Sequence, residues 1–373
     1  MLIVADDKIP FLKGVLEPYA RVVYIPGIDI GPEDVKEADG LIIRTRTKVD
    51  KSLLEGSNVK AVVSSTIGTD HMDLPWLEEN GIAWANAPGC NSGSVKQYVA
   101  SVFAALEMDY FPLRGKTLGV VGVGNVGSKV AKVGEAFGMK VLLNDPPRAA
   151  VETDFRNVDL NVLLQMSDVV TFHVPLTRDG MYATEYLLND TTLMMMKRGS
   201  VLINSSRGEV VEQRVLMKGI SSGLIDRAIL DVWEHEPDIS VELLERLMIG
   251  TPHVAGYSVD GKANGTAAAV QFMSRQFGFD LDNWQPSELP VLDDMSLIVS
   301  DVDERLNLKL AKAVISTYDV KDDAIRLVED PGNFETIRGN YPVRREFPAW
   351  TISGAKENPE LKKSLSLLGF KIQ

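Results

Sequence analysis

The segment Gly122-Val-Gly124-Asn-Val-Gly127 constrains the fold of this chain more than any other. The apolar run 117–121 leads into it and an amphipathic pattern over 126–137 leads away. Three glycines spaced this way between a strand and a helix allow a tight turn, close approach of another group to the backbone, and close packing of the helix on the strand. Such a strand–turn–helix unit belongs to a parallel sheet covered by crossover helices.

The glycine loop does not open the chain. Strands are expected before it at 2–5, 22–25, 40–43, 61–64 and 82–84, with helices at 10–19, 32–38, 51–54 and 74–80 between them. A longer helix is expected over 94–106, after which the alternation restarts with strands at 117–121, 141–144, 169–172, 201–203 and 228–231. From about Pro286 the character changes. Pro290, Asp293 and Asp294 lead into helices expected at 303–318 and 319–328. The fold class that follows is α/β: two Rossmann-like, doubly wound parallel-sheet domains in tandem and a smaller C-terminal α+β module.

Composition narrows the partners. The 373 residues carry a net charge of -13, which argues against nucleic acid and anionic membranes as partners. An anionic substrate then needs a local basic pocket. Cys90 is the single cysteine, so no intramolecular disulfide forms, and a reducing compartment fits. Cys90 is read as structural, since Pro88-Gly-Cys-Asn91 has no neighbouring histidine. The chain starts as a strand without a basic leader, and no run approaches the ~18 apolar residues of a membrane span. A cytoplasmic protein is expected.

The glycine loop has the surroundings that a dinucleotide site requires, with backbone N–H groups and a helix N-terminus facing a pyrophosphate. Asp145 ends the next strand, where a carboxylate accepts hydrogen bonds from ribose hydroxyls and repels a 2′-phosphate, so NAD is favoured over NADP. Arg148 is a mild counter-signal.

Three further side chains follow strand ends: Arg207 in Asn204-Ser-Ser-Arg-Gly208, Glu236 in Asp231-Val-Trp-Glu-His-Glu-Pro237, and His253 in Thr251-Pro-His-Val-Ala-Gly-Tyr257. Dehydrogenating a 2-hydroxy acid needs a base for the hydroxyl proton and a cation for the carboxylate and nascent carbonyl. Histidine titrates near neutrality and suits the first task. Glu236 is the natural partner to fix its tautomer, and Arg207 supplies a fork of donors for the second task. Asp231 is placed to hold the nicotinamide carboxamide. His71, His173 and His235 are read as structural, and the chemistry calls for no metal.

These motifs, with Thr66-Ile-Gly-Thr-Asp70, resemble the D-2-hydroxyacid dehydrogenase family over roughly residues 1–285. The resemblance implies Arg207, Glu236 and His253 as the catalytic trio. It implies a substrate-binding domain over 1–93 completed by 258–285, an NAD-binding domain over 94–257, and a site in the cleft between them. Cofactor contacts are implied at Gly122, Gly124, Asn125, Val126, Gly127, Asp145, Ser205, Ser206, Arg207, Asp231 and Gly256. Val174 stands where a threonine is expected, so any contact there comes from backbone.

Arg44-Thr-Arg46-Thr47, Asn86-Ala-Pro-Gly-Cys-Asn91, Asn144-Asp-Pro-Pro-Arg148, Gly256-Tyr257-Ser258 and Tyr341-Pro-Val-Arg-Arg-Glu-Phe347 are similar to one branch of that family, which oxidises 4-phospho-D-erythronate on the way to pyridoxal phosphate. That similarity implies a small phosphorylated 2-hydroxy acid as substrate, contacts from Arg44, Thr45, Arg46, Thr66, Gly68 and Tyr257, and a homodimer formed through 286–373. Thr45 stands where relatives often carry serine and keeps the hydroxyl. The physical expectation agrees: Arg44 and Arg46 follow a buried strand, and alternation along an extended chain sends both to one side. Arg344 and Arg345 are expected to reach a partner's active site or to anchor the dimer. Two rivals stand beside this reading: a dehydrogenase for D-3-phosphoglycerate or another D-2-hydroxy acid, and a binding protein that senses NAD(H).

Overall fold

The computed structural model describes residues 1–299, 305–355 and 358–373. The chain forms two compact units, Met1–Asn91 with Ser258–Pro290, and Ser92–Tyr257 with Val291–Gln373.

The first unit is a five-stranded sheet of β1 (Leu2–Asp6), β2 (Arg21–Ile25), β3 (Gly40–Ile43), β4 (Ala61–Ser64) and β5 (Ala83–Ala85), in the order β2-β1-β3-β4-β5. All its pairings are parallel. β3 and β4 are buried along their whole length, as continuous apolar runs in a doubly covered sheet require. The Val259–Phe277 helix covers one face, packing Ala269, Val270 and Met273 with Ile3, Ile42 and Val63. It comes close because Gly265 has no side chain; a Cβ there would lie 2.2 Å from the Ser65 carbonyl oxygen. The helix expected over 10–19 is absent. That stretch is a chain of turns, with Phe11 at φ 63° and Gly14 at φ 86°, both outside the right-handed helical region.

The second unit holds a six-stranded sheet of β6 (Thr117–Val121), β7 (Lys140–Asn144), β8 (Val169–Phe172), β9 (Ser200–Asn204), β10 (Ile225–Leu230) and β11 (Ile249–Gly250), in the order β11-β10-β9-β8-β6-β7. Strand order reverses at β6, between β7 and β8. In open α/β sheets ligands bind beyond the strand C-termini at such a reversal, and the glycine loop leaves β6 there.

The C-terminal segment adds a three-stranded parallel sheet of β12 (Ser296–Ile298), β13 (Thr351–Ser353) and β14 (Lys371–Ile372). Its helices Leu306–Ile315 and Val320–Glu329 match the expected pair, although residues 303–304 of the first expected span lie outside the described residues. This segment shares the core of the second unit. Leu310, Ala311 and Val314 pack with Val99, Phe103 and Leu106 of the Ser92–Asp109 helix. Asn307 donates to the Phe137 carbonyl at 2.9 Å, and Ser364 to the Ala136 carbonyl at 2.9 Å.

Candidate active site

In the second unit every candidate side chain up to Tyr257 follows the C-terminal end of a strand. β6 runs into Gly122–Gly127, β7 into Asp145, β8 into His173-Val174, β9 into Ser205–Arg207, β10 into Asp231 and β11 into Thr251–Ala255.

The glycine loop is tight where it turns and open where a ligand would lie. Gly122 has φ 83°, and a Cβ there would meet the His173 carbonyl oxygen at 2.5 Å; at Gly127 a Cβ would meet the Gly122 carbonyl oxygen at 1.9 Å. Gly124 faces open space with nothing within 4 Å. Asp145 accepts from Val123 N at 2.8 Å and from Arg148 N at 3.0 Å, so its carboxylate braces the loop. The Arg148 guanidinium is engaged by Glu152 at 2.8 Å and the Val123 carbonyl at 2.9 Å, and it lies over the Phe155 ring. An arginine so engaged is poorly placed for a 2′-phosphate. Ser205 adds a buried Oγ without a hydrogen-bond partner among the described residues. Orphaned buried hydroxyls are uncommon in finished structures, and a dinucleotide would satisfy this one. The residues present therefore fit NAD. Asn125 and Val126 lie in the loop itself, and Val174 packs against it, with its Cγ1 2.7 Å from a Cβ built on Gly122.

The expected trio is partly assembled by hydrogen bonds that the structure makes explicit. His253 Nδ1 lies 2.7 Å from Glu236 Oε2. Glu236 Oε1 accepts from Trp233 N at 2.9 Å, which fixes the carboxylate plane. Burial pushes the Glu236 carboxyl up, but the hydrogen bond and charge of His253 outweigh it, and the group stays ionised below the usual glutamate range. Trp233 Nε1 donates to the Thr251 carbonyl at 2.9 Å and ties the Glu236 loop to the His253 segment. Arg207 is half-buried and donates to the Ser206 carbonyl at 2.8 Å. Asn204 shapes its turn, donating to the Arg207 carbonyl and accepting from Ser206 N and Oγ. The next residue, Gly208, lies against the Trp233 carbonyl carbon and oxygen, 2.1 Å from an added Cβ. Only glycine allows the arginine loop this near the Glu236 loop.

Asp231 plays a part that sequence reasoning missed. Its buried carboxylate accepts from Thr251 Oγ1 at 2.7 Å, Val254 N at 2.7 Å and Ala255 N at 2.9 Å, so it organises the His253 segment from within. Burial pushes its carboxyl up, against these bonds. Tyr98, wholly buried, extends the chain through Thr251 Oγ1 at 2.8 Å. It sits in the Ser92–Asp109 helix without a local motif, so sequence carried no signal for it. Gly256 and Tyr257 follow directly, and the Tyr257 ring stands edge-on to Tyr341, 5.7 Å between centroids.

In the first unit the expected substrate residues also follow strand ends, Arg44–Arg46 after β3 and Thr66–Gly68 after β4. Their local geometry differs from expectation. The strand stops at Ile43 and residues 45–46 form a turn, so Arg44 and Arg46 are not related by strand alternation. Arg44 makes a two-pronged ion pair with the fully buried Asp6, at 3.0 and 3.1 Å. Thr45 and Arg46 are exposed. Thr66 Oγ1 meets Ser64 Oγ at 2.7 Å, and the Thr66 carbonyl accepts from Ala87 N. Gly68 is half-buried in the same loop. Asp6 was legible in principle, being an acidic end to the first apolar strand. Cys90 is half-buried, its carbonyl accepting from Asn264 at 3.1 Å.

Comparison with known proteins matches residues 93–255 to the NAD-binding domain of D-isomer specific 2-hydroxyacid dehydrogenases, and residues 295–369 to a domain of unknown function. The erythronate-4-phosphate dehydrogenase of Bacteroides fragilis is 44% identical over 354 residues, covering 94% of this chain and 99% of the relative. That of Proteus mirabilis is 40% identical, covering 99% of each. Among solved structures, the D-lactate dehydrogenase of Aquifex aeolicus, complexed with NAD and lactic acid, superposes with a TM-score of 0.64 at 24% identity, over 76% of this chain and 97% of that one. At that identity it speaks for the fold alone.

Proposed function

Because the chain belongs to the erythronate-4-phosphate dehydrogenase family of D-isomer specific 2-hydroxyacid dehydrogenases, we propose that it oxidises 4-phospho-D-erythronate to (R)-3-hydroxy-2-oxo-4-phosphooxybutanoate in pyridoxal 5′-phosphate synthesis. NAD, when bound, supplies the hydride acceptor. Ser205, Ser206 and the loop from Gly122 to Gly127 would hold the dinucleotide, with Asp145 toward the ribose.

The observation that carries the reading is the 2.7 Å contact of His253 Nδ1 with an ionised Glu236. It leaves Nε2 as the ring atom that takes the C2 hydroxyl proton, and it stabilises the imidazolium that results. Arg207 grips the substrate carboxylate and the oxygen that becomes the carbonyl. Asp231 holds the base-bearing segment in place. The phosphate end falls to Arg46, with hydroxyls from Thr45, Thr66 and Tyr257. Arg44 contributes through Asp6, which fixes the turn.

The test is NADH formation with 4-phospho-D-erythronate or D-3-phosphoglycerate, in the presence of a keto-acid trap. Preference for phosphoerythronate supports the proposal. Preference for phosphoglycerate keeps the trio and moves the substrate, and NADH binding without turnover on either points to a sensor.

A cytoplasmic homodimer belongs to the same proposal. No helix among the described residues is long and apolar enough to cross a membrane. On the C-terminal segment Val291, Ile298 and Val343 are exposed apolar side chains, as a partner surface would have.

A further inference from the structure

One buried side chain of the C-terminal segment grips the backbone that follows His253. Arg344 is 4% exposed. Its Nη2 donates to the Ala255 carbonyl at 2.6 Å, its Nη1 lies 3.2 Å from Tyr341 Oη, and its guanidinium lies over the Tyr318 ring, 4.4 Å from the centroid. Tyr318 and Tyr341 both donate to Asp323 Oδ2 at 2.7 Å, and Arg326 closes the other carboxylate oxygen at 2.8 Å. The guanidinium therefore has a fixed place, set by the Val320–Glu329 helix and the segment around Tyr341.

What it grips is strained. His253 has φ 55°, an uncommon conformation for a residue with a side chain, and such backbone persists only where its surroundings over-determine it. Asp231 holds the segment by the N–H groups of Val254 and Ala255. Arg344 holds it by the Ala255 carbonyl. The donors and acceptors just past His253 are thus claimed from opposite partners, one following β10 and one in the C-terminal segment.

We propose that Arg344 is a positioning residue for His253, and that the C-terminal segment serves catalysis within its own chain by supplying it. The expectation from sequence is that Arg344 reaches a partner's active site or anchors the dimer; its contacts with Tyr341 and Ala255 lie within its own chain. The inference rests on His253 being the base.

The experiment compares wild type with Arg344→Met, which keeps the bulk and removes the donors, and Arg344→Lys, which keeps one charged donor. It measures kcat, KM for 4-phospho-D-erythronate, NADH affinity by fluorescence, and Tm. Arg344→Met should lower kcat about ten- to a hundredfold, the scale of a misplaced catalytic group, with KM and NADH affinity within about twofold of wild type. Arg344→Lys should recover part of that loss. Wild-type kcat in a folded Arg344→Met protein overturns the proposal, and so does a loss shared equally by kcat and NADH affinity. If Arg344→Met does not fold, Tyr341→Phe, which removes the hydroxyl beside the guanidinium, is measured the same way; a selective kcat loss supports the proposal and an unchanged kcat overturns it. Failure of the underlying reading shows separately, as full turnover by His253→Ala.

Discussion

The Arg44–Asp6 pair sharpens what each residue near the phosphate end can contribute. Removing Arg44, whose side chain is 32% exposed, leaves the buried Asp6 carboxylate without this charged partner, at a cost of roughly 1–3 kcal/mol for a pair open to solvent on one side. Arg44→Ala should therefore lower Tm and raise KM together. Arg46 is exposed in the turn, where interactions contribute less: Arg46→Ala should raise KM for the phosphorylated substrate and lower Tm less than Arg44→Ala does. Equal Tm losses in the two variants would remove the distinction. At the other end, His253→Ala should reduce kcat far more than NADH affinity, because the ring acts on the reacting hydroxyl. Comparable losses in both would make His253 a structural residue.

Among elements, strands were legible and turns were not. β3, β4, β6 and β8 coincide with the expected runs because strands buried on both faces read as nearly continuous apolar runs. Segment 10–19 has helix-like apolar spacing, yet Gly14 and Pro18 serve a turn that its neighbours impose. The turn at 45–46 that follows β3 was equally invisible, because the pairing of Arg44 with Asp6 joins residues far apart in sequence. Of the candidate site, the placement of the glycine loop, Arg207, Glu236 and His253 after strand ends could be read, since the apolar runs before them are intact. Asp231's inward role and the Arg344 clamp could not, since their partners are set by packing. Two glycines separate the kinds of constraint. Gly124→Ala should leave Tm nearly unchanged and weaken NADH binding, because its Cβ would enter open space beside the loop. Gly208→Ala should lower both Tm and kcat, because its Cβ would force the Trp233 backbone away and carry Arg207 with it. Thermal unfolding and NADH titration of the pair check this; a stable, active Gly208→Ala would show that the loops need not touch.

For the molecule as a whole, acid should act through His173. Its ring nitrogens are enclosed, with Nε2 2.9 Å from Thr171 Oγ1 and Nδ1 buried without a partner among the described residues. Burial pushes its pKa down to about 3, although part of the residue keeps contact with solvent. The folded form thus resists a proton that the unfolded chain accepts near pH 6.5. Stability is unaffected above that value and falls as pH drops from there toward 3, by about 1–2 kcal/mol at pH 5 after allowance for solvent. Tm measured between pH 7 and 5 should fall less in His173→Gln than in wild type; parallel curves would assign the acid sensitivity elsewhere. Assembly is tested at the same scale. Ile298, 84% exposed on β12, sits on the surface proposed to pair two chains. Ile298→Glu should shift the mass in sedimentation from dimer toward monomer, and a monomeric wild type would remove the proposal.

The interleaving of the two units sets an order on synthesis. Ile3 and Val63 leave the ribosome early, but the helix that covers them, Val259–Phe277, is made only after β6 to β11 have emerged. For that interval the nascent chain displays an uncovered apolar sheet face, a surface that chaperones recognise. The unit begun first is then completed before the other, whose core still awaits Leu310 through Phe370.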